Sequence, residues 1–220
     1  MPRDSRFGEQ VQPTRRRILV ALKKSGGLTC NELANELGIT SMGVRRHLIT
    51  LERDGLVYHT AVQRGLGRPS HVYRLTELAE ELFPKNYGAL VNELLGYIEE
   101  LDGEEKIGQL FQQRAQRRVE RARDRLKGLS LADKVFELAR ILEEEGYLAE
   151  AEQLGEKTFA IREYNCAIRQ VAQRFHQACG AELDFLRAVL PEAEVERKRH
   201  IVSGEPYCGY HITRRTDQQG

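Results

Sequence analysis

Apolar residues recur at helical spacing along the first fifty positions. In "PTRRRILVALKKSGG", Ile18, Leu19 and Leu22 share one face, and Gly26 and Gly27 stop the helix. "LTCNELANELG" begins the next, with Thr29 as N-cap, Glu32 three residues on, and Leu33, Ala34 and Leu37 as its apolar face. Gly38 makes a turn, and "ITSMGVRRHLITLERDG" places Val44, Leu48 and Leu51 at i, i+4, i+7. After Gly55 the period changes. Two β-rich runs, "LVYHTAV" and "SHVYRL", are joined by "QRGLGRP". Three helices followed by a basic-tipped hairpin is the order of a winged helix-turn-helix, expected over residues 13–76.

From 77 to 146 the spacing is helical throughout. "ALVNELLGYIEEL", "KIGQLFQQRAQRRVERARDRLK" and "LADKVFELARILEEEG" each carry an apolar stripe. Helices this long beside a DNA-binding module are expected to pair two chains into a homodimer. The arginines of the middle helix read as a solvated face. From 147 to 214 the grammar changes again. "YLAEAEQ" and "KTFAIREY" read as strands, "AIRQVAQRF" and "AELDFLRAVL" as helices, "EVERKRHIV" and "YCGYHIT" as strands. The fold class expected is mainly α with α+β: an N-terminal winged helix-turn-helix, central dimerisation helices, and a small C-terminal α+β domain with an antiparallel sheet.

Charge sharpens this division. The net charge of the 220 residues is +1, but residues 1–75 hold thirteen Lys/Arg against six Asp/Glu, and residues 76–220 hold twenty-one against twenty-seven. A basic first part with this helical order predicts binding to double-stranded DNA. The second helix of such a motif enters the major groove. With Val44, Leu48 and Leu51 buried, Ser41, Met42, Arg45 and Arg46 face outward. Arginine grips guanine O6/N7 with two donors, so Arg45 and Arg46 are the expected base readers. Thr40 and Ser41 are placed to cap the helix and touch phosphate, and Arg64 and Arg68 in the wing to grip the backbone or a minor groove. The opening "MPRDSRFGEQ" has no apolar core, and no apolar run reaches the roughly 18–20 residues that cross a bilayer. A cytoplasmic protein without a membrane partner is expected, in a compartment where disulfides are uncommon.

Four cysteines remain to be explained. Cys30 lies in the first turn of the second helix and reads as a small core filler. Cys166, Cys179 and Cys208 all fall in the C-terminal domain, separated by twelve and twenty-eight residues, with no CxxC knuckle. Spacing leaves them as fillers, metal ligands or redox centres. One geometric condition applies to any shared site. A straight helix over 166–179 would hold its ends about 20 Å apart. The helix must therefore stop near Phe175, with "HQAC" doubling back and Gly180 in the turn.

The stretch "YNCAIRQVAQRFHQACGAELDFLRAVLPEAEVERKRHIVSGEPYCGYHI" closely resembles the C-terminal signature of the SufR family, through "NCAI", the cysteine twelve residues on, "LPEAEVER" and "GEPYCGY". Those proteins are iron–sulfur-sensing repressors of the SUF cluster-assembly operon in cyanobacteria and related bacteria. The winged helix fits the family's first half. The resemblance implies a homodimer in which Cys166, Cys179 and Cys208 bind a [4Fe–4S] cluster, with the loaded form repressing. Many members carry a fourth cysteine at the position of Ala193 here, in a turn that would lie near the cluster. Its absence leaves the fourth iron to His200, His176, His211 or another group.

Two rival functions differ in class. In one, Cys166, Cys179, Cys208 and a histidine hold Zn²⁺ in a tetrahedral site and the regulator senses something else. In the other, Cys166 or Cys208 pairs with His200 or His211 as a nucleophile. No oxyanion hole or substrate loop accompanies the second, so no enzyme activity and no small-molecule substrate are expected.

Overall fold

In the computed structural model, which describes residues 12–63 and 69–215, helix α1 (Pro13–Ser25) opens on a proline at its first turn and ends at Gly26, whose φ of +72° suits only glycine without strain. Strand β1 (Leu28–Thr29) leads into α2 (Cys30–Leu37). The Thr29 hydroxyl accepts from the Glu32 N–H, and the Glu32 carboxylate accepts from the Thr29 N–H at 2.7 Å, closing the capping box. Thr40 caps α3 (Ser41–Arg53) by accepting from the Gly43 N–H at 3.1 Å. Strands β2 (Val57–Val62) and β3 (Ser70–Leu75) follow, then the short α4 (Glu77–Glu80). The sheet is antiparallel in the order β1-β3-β2, with His59 opposite Tyr73. Ile18, Leu19, Leu22, Leu33, Val44, Leu48, Leu51 and Val57 form its core. Only β1 and α4 escaped the sequence pattern, being too short to show a period. The wing arginines Arg64 and Arg68 lie outside the described residues.

The chain divides into two compact units, Met1–Lys85 and Asn86–Gly220. The second contains α5 (Tyr87–Asp102), α6 (Glu104–Leu126), α7 (Leu131–Glu144), β4 (Ala149–Gln153), β5 (Thr158–Glu163), α8 (Arg169–Ala172), α9 (Gln177–Val189), β6 (Ala193–Arg199), a 3₁₀ turn (Ile201–Ser203) and β7 (Cys208–Arg214). Its sheet is antiparallel in the order β4-β5-β7-β6. Phe111 of α6, Leu138 and Leu142 of α7, Phe185 of α9, Ile161 of β5 and Ile212 of β7 share one core. The helices expected as a separate region over 77–146 therefore build the same unit as the sheet, and α4 falls in the first unit. Helical spacing announces an apolar face but not the element that covers it. Among the described residues, no helix is long and apolar enough to cross a membrane.

Two local expectations change. The helix after Cys166 does stop before Phe175, but sooner, since α8 has four residues. The reversal occupies Gln173–His176, so Cys179 stands in the first turn of α9 and Gly180 lies inside that helix. Ala193 opens β6 and pairs with Arg214, whereas Cys208 lies at the other end of β7, beyond the Arg199–Gly209 pair. At about 3.3 Å per residue that separates Ala193 from Cys208 by roughly 20 Å. A side chain at Ala193 is thus remote from Cys208, contrary to the expectation that it borders the same site.

Candidate functional site

Two surfaces are candidates for function, one in each unit. On α3, Ser41, Met42, Arg45 and Arg46 are exposed, while Val44, Leu48 and Leu51 are fully buried beneath them. Thr40 is committed to its cap, and the Ser41 hydroxyl donates to Asn31 Oδ1 at 3.0 Å, which ties the start of α3 to α2. Met42 is 74% exposed and Ile49 62% exposed. With Arg45 and Arg46 they make a stripe at i, i+3, i+4, i+7. Ile49 belongs to that face, and the i+7 step from Met42 was the signal that could have found it. The Cys30 thiol donates to the Ser41 carbonyl at 3.2 Å and packs, partly buried, against the edge of the core.

The second surface gathers the other three thiols. Glu163 and Cys208 stand directly opposite on β5 and β7, where paired Cβ atoms are about 4.5–5.5 Å apart. Cys166 follows Glu163 by three residues, in the loop before α8. Cys179 projects from the first turn of α9, and its carbonyl accepts from Arg197 Nη1 at 2.8 Å. All three cysteines are free. Each lies within electrostatic reach of the others: Cys166 raises Cys179, and both raise Cys208. Burial is the larger cause. It pushes Cys179 and Cys208 up to about 11 and raises Cys166. Two backbone N–H groups already point at sulfur, Ile201 to Cys208 Sγ at 3.4 Å and Ile168 to Cys166. These donors, Arg197 and the positive end of α9 all favour thiolate once a metal replaces the protons.

Buried and half-buried polar residues complete the surroundings. Glu163 is 2% exposed, its Oε1 has no hydrogen-bond partner, and burial first and Glu182 second raise its carboxyl well above the usual range. Its signal was the inward phase of β5, Phe159–Ile161–Glu163. Behind it, Arg118 of α6 donates to Glu182 of α9 at 2.7 Å and to Glu145 at 3.2 and 2.5 Å. Arg118 was expected on a solvated face, yet it is 4% exposed and lies 4.1 Å from the Phe185 ring centroid.

The three candidate histidines fare differently. His211 alternates with Cys208 along β7 and so faces the opposite side of the sheet. His176 precedes α9 and is exposed. His200 is partly buried, and burial, then Arg197 and His176, lower it. Among the described residues, no three His, Cys, Asp or Glu side chains stand at the spacing of a single metal ion. A cubane cluster takes one thiolate per iron, so its ligands are spread more widely than those of one ion. Three thiols from three segments, half-buried or buried and approached by N–H donors, fit that kind of group.

Residues 11–59 match the model of a helix-turn-helix domain family. No curated protein matches the chain. Among solved structures, YusO of Bacillus subtilis is similar at 25% identity and TM-score 0.30, over 33% of this chain and 50% of that one; this chain thus spans half of the YusO length. A trafficking protein particle complex subunit 3 from Naegleria fowleri, covalently bound to palmitic acid, is similar at 17% identity and TM-score 0.37, over 59% and 91%. PadR of Bacillus subtilis in complex with operator DNA is similar at 14% identity and TM-score 0.30, over 80% and 99%. TM-scores of this size do not establish a common overall fold.

Proposed function

We propose that this chain is an iron–sulfur-dependent transcriptional regulator: a homodimer that binds operator DNA through α3 and represses iron–sulfur cluster assembly genes of the SUF type when Cys166, Cys179 and Cys208 hold a [4Fe–4S] cluster. What supports the reading is that three cysteines, spread over forty-three residues of sequence, lie within electrostatic reach of one another in a chain whose other unit holds a helix-turn-helix domain. A bound cluster would supply an oxygen-labile and redox-active group. Cys166 would anchor the loop after β5 to it, Cys179 the start of α9, and Cys208 the start of β7. Arg45 and Arg46 would read bases, as expected for exposed arginines on a recognition helix. The exposed apolar positions Leu90, Val91, Leu94 and Leu101 of α5 support pairing with a second copy. Thiols raised by burial are the reverse of what a nucleophilic cysteine needs, which favours a binding site over an active site.

The test is anaerobic purification or reconstitution followed by iron and sulfide counting. About four of each per chain and a brown colour are expected. Cys166→Ser, Cys179→Ser and Cys208→Ser should each lose colour and tight operator binding, and Cys30→Ser should keep both. A colourless protein holding one zinc per chain would overturn the cluster reading.

A further inference from the structure

Three thiolates leave one corner of a four-iron cluster without a protein ligand, and β6 contains a feature that addresses it. The pairing of β6 with β7 slips between Arg197 and Arg199. Before the slip, Arg197 lies opposite Tyr210; after it, Arg199 lies opposite Gly209. Arg199 therefore joins Gly209 on the outer face, where its guanidinium sits 5.3 Å from the Tyr207 ring centroid. The next residue, His200, stands just beyond the last paired residue of β6, where continuing the register would set it opposite Cys208. The backbone agrees: the Ile201 N–H, one residue on, donates to Cys208 Sγ at 3.4 Å. Glu163 lies opposite Cys208 on β5, and His200 is one residue from the donor to the Cys208 sulfur.

The imidazole is already arranged as a ligand is. Its Nδ1 lies 3.2 Å from Ser203 Oγ, a hydroxyl able to accept from an Nδ1–H. With the proton on Nδ1 the lone pair falls on Nε2, which is closed off from solvent and has no hydrogen-bond partner. Metal-bound histidines characteristically have one ring nitrogen fixed by such a hydrogen bond and the other free for the metal. An unpaired buried ring nitrogen otherwise only costs stability. Glu163 Oε1 is also unpaired, but a carboxylate among three thiolates would add a fourth negative charge to a buried site, and Arg118 is already engaged by Glu182 and Glu145. A neutral imidazole adds none.

We infer that His200 Nε2 is the fourth ligand of the cluster, bound to the iron that Cys166, Cys179 and Cys208 leave open. This rests on the cluster reading, and the test separates the two. The full-length protein is reconstituted anaerobically with iron and sulfide, reduced with dithionite, and studied by pulsed EPR with histidine at natural abundance or labelled with ¹⁵N. The expected result is a strongly coupled nitrogen in wild type that changes with the histidine isotope and is lost in His200→Ala and in His200→Gln. A full complement of iron and sulfide without any isotope-dependent coupling in wild type would overturn the histidine ligand while leaving the cluster reading intact. Coupling that survives in both variants would overturn His200 in favour of another imidazole. Failure of the wild type to take up iron and sulfide would overturn the cluster reading, and this inference with it. The wild-type isotope comparison needs no variant to fold.

Discussion

Arg118 sits in a run of arginines, "RAQRRVERARDR", where nothing in composition sets it apart. Position does. Ile107, Phe111, Ala115, Arg118, Ala122 and Leu126 are spaced by four, four, three, four and four, and all six are buried, so the arginine occupies the apolar seam of α6. Burial works against its charge; Glu182 and Glu145 outweigh that and raise it. Removing the guanidinium strands two carboxylates, one of them 6% exposed. Arg118→Ala should therefore cost about 3–5 kcal/mol of unfolding free energy, and Arg118→Lys should recover little, because an ammonium cannot hold both partners in forked geometry. Chemical denaturation of the apo protein checks both. The thiols make a second prediction at this scale. An unfolded cysteine ionises near 8.5, whereas Cys179 and Cys208 are held up to about 11 in the fold. The unfolded chain thus releases protons first as pH rises. Apo stability should be unaffected by these groups below about pH 8 and should fall between about pH 8.5 and 11. Thermal unfolding of wild type against Cys179→Ser across that range reads the effect; parallel curves would mean that the thiols are not so buried.

Among elements, the tightest approach is between α5 and the segment after Cys166. A Cβ on Gly88 would fall 1.8 Å from Gln170 Oε1, and one on Gly96 would fall 2.8 Å from Arg174 Nη2. Between these glycines, Asn92 Nδ2 donates to the Gln170 carbonyl at 2.9 Å, and Arg174 Nη1 donates to the Asn92 carbonyl at 3.2 Å. Helix α8 and the turn after it, which follow the Cys166 loop, are thus clamped to α5. Gly96→Leu should open the clamp, costing about 1–3 kcal/mol as other overpacked sites do, and should speed amide exchange over residues 166–176. Unchanged exchange there would show that the segment is held elsewhere. This contact was invisible in sequence, and the reason is general. The helix-turn-helix was legible because its signals are local: a capping box at Thr29 and Glu32, glycine stops at 26 and 38, and one apolar face on α3. The order of strands and helices after 147 was legible from period changes. The arrangement of the thiol site was not, because it depends on where α8 ends and on a one-residue slip in β6. That slip moves Arg199 to the outer face beside Gly209, and alternation along β7 turns His211 outward; neither follows from the identity of the residues. The family resemblance named the three cysteines, and the register accounts for Ala193 lying far from Cys208.

For the whole molecule, the unresolved demand is the outer face of α5. Leu90 and Leu94 are each 51% exposed and Leu101 82%, and with Val91 they run along about three turns of a helix clamped to α8 and the turn after it on its other side. An apolar stripe of this length on a free chain calls for a partner. In a regulator with one recognition helix per chain, a second copy is the partner that also doubles the DNA contact. Each copy would then place an α3 in one half-site, and binding of the second half-site becomes intramolecular. Losing that linkage should weaken operator binding by about 10²–10⁴-fold. Leu90→Glu combined with Leu94→Glu places four like charges at the proposed seam of a dimer. The variant should run as a monomer by light scattering, take up as much iron and sulfide as wild type, and bind operator as weakly as a single half-site. Arg45→Ala should instead leave the dimer intact and reduce discrimination between operator and random DNA by about 1–3 kcal/mol. If the double glutamate variant remains dimeric, α5 is not the seam; if it is monomeric yet binds operator undiminished, one copy suffices and the proposal of a dimeric repressor fails.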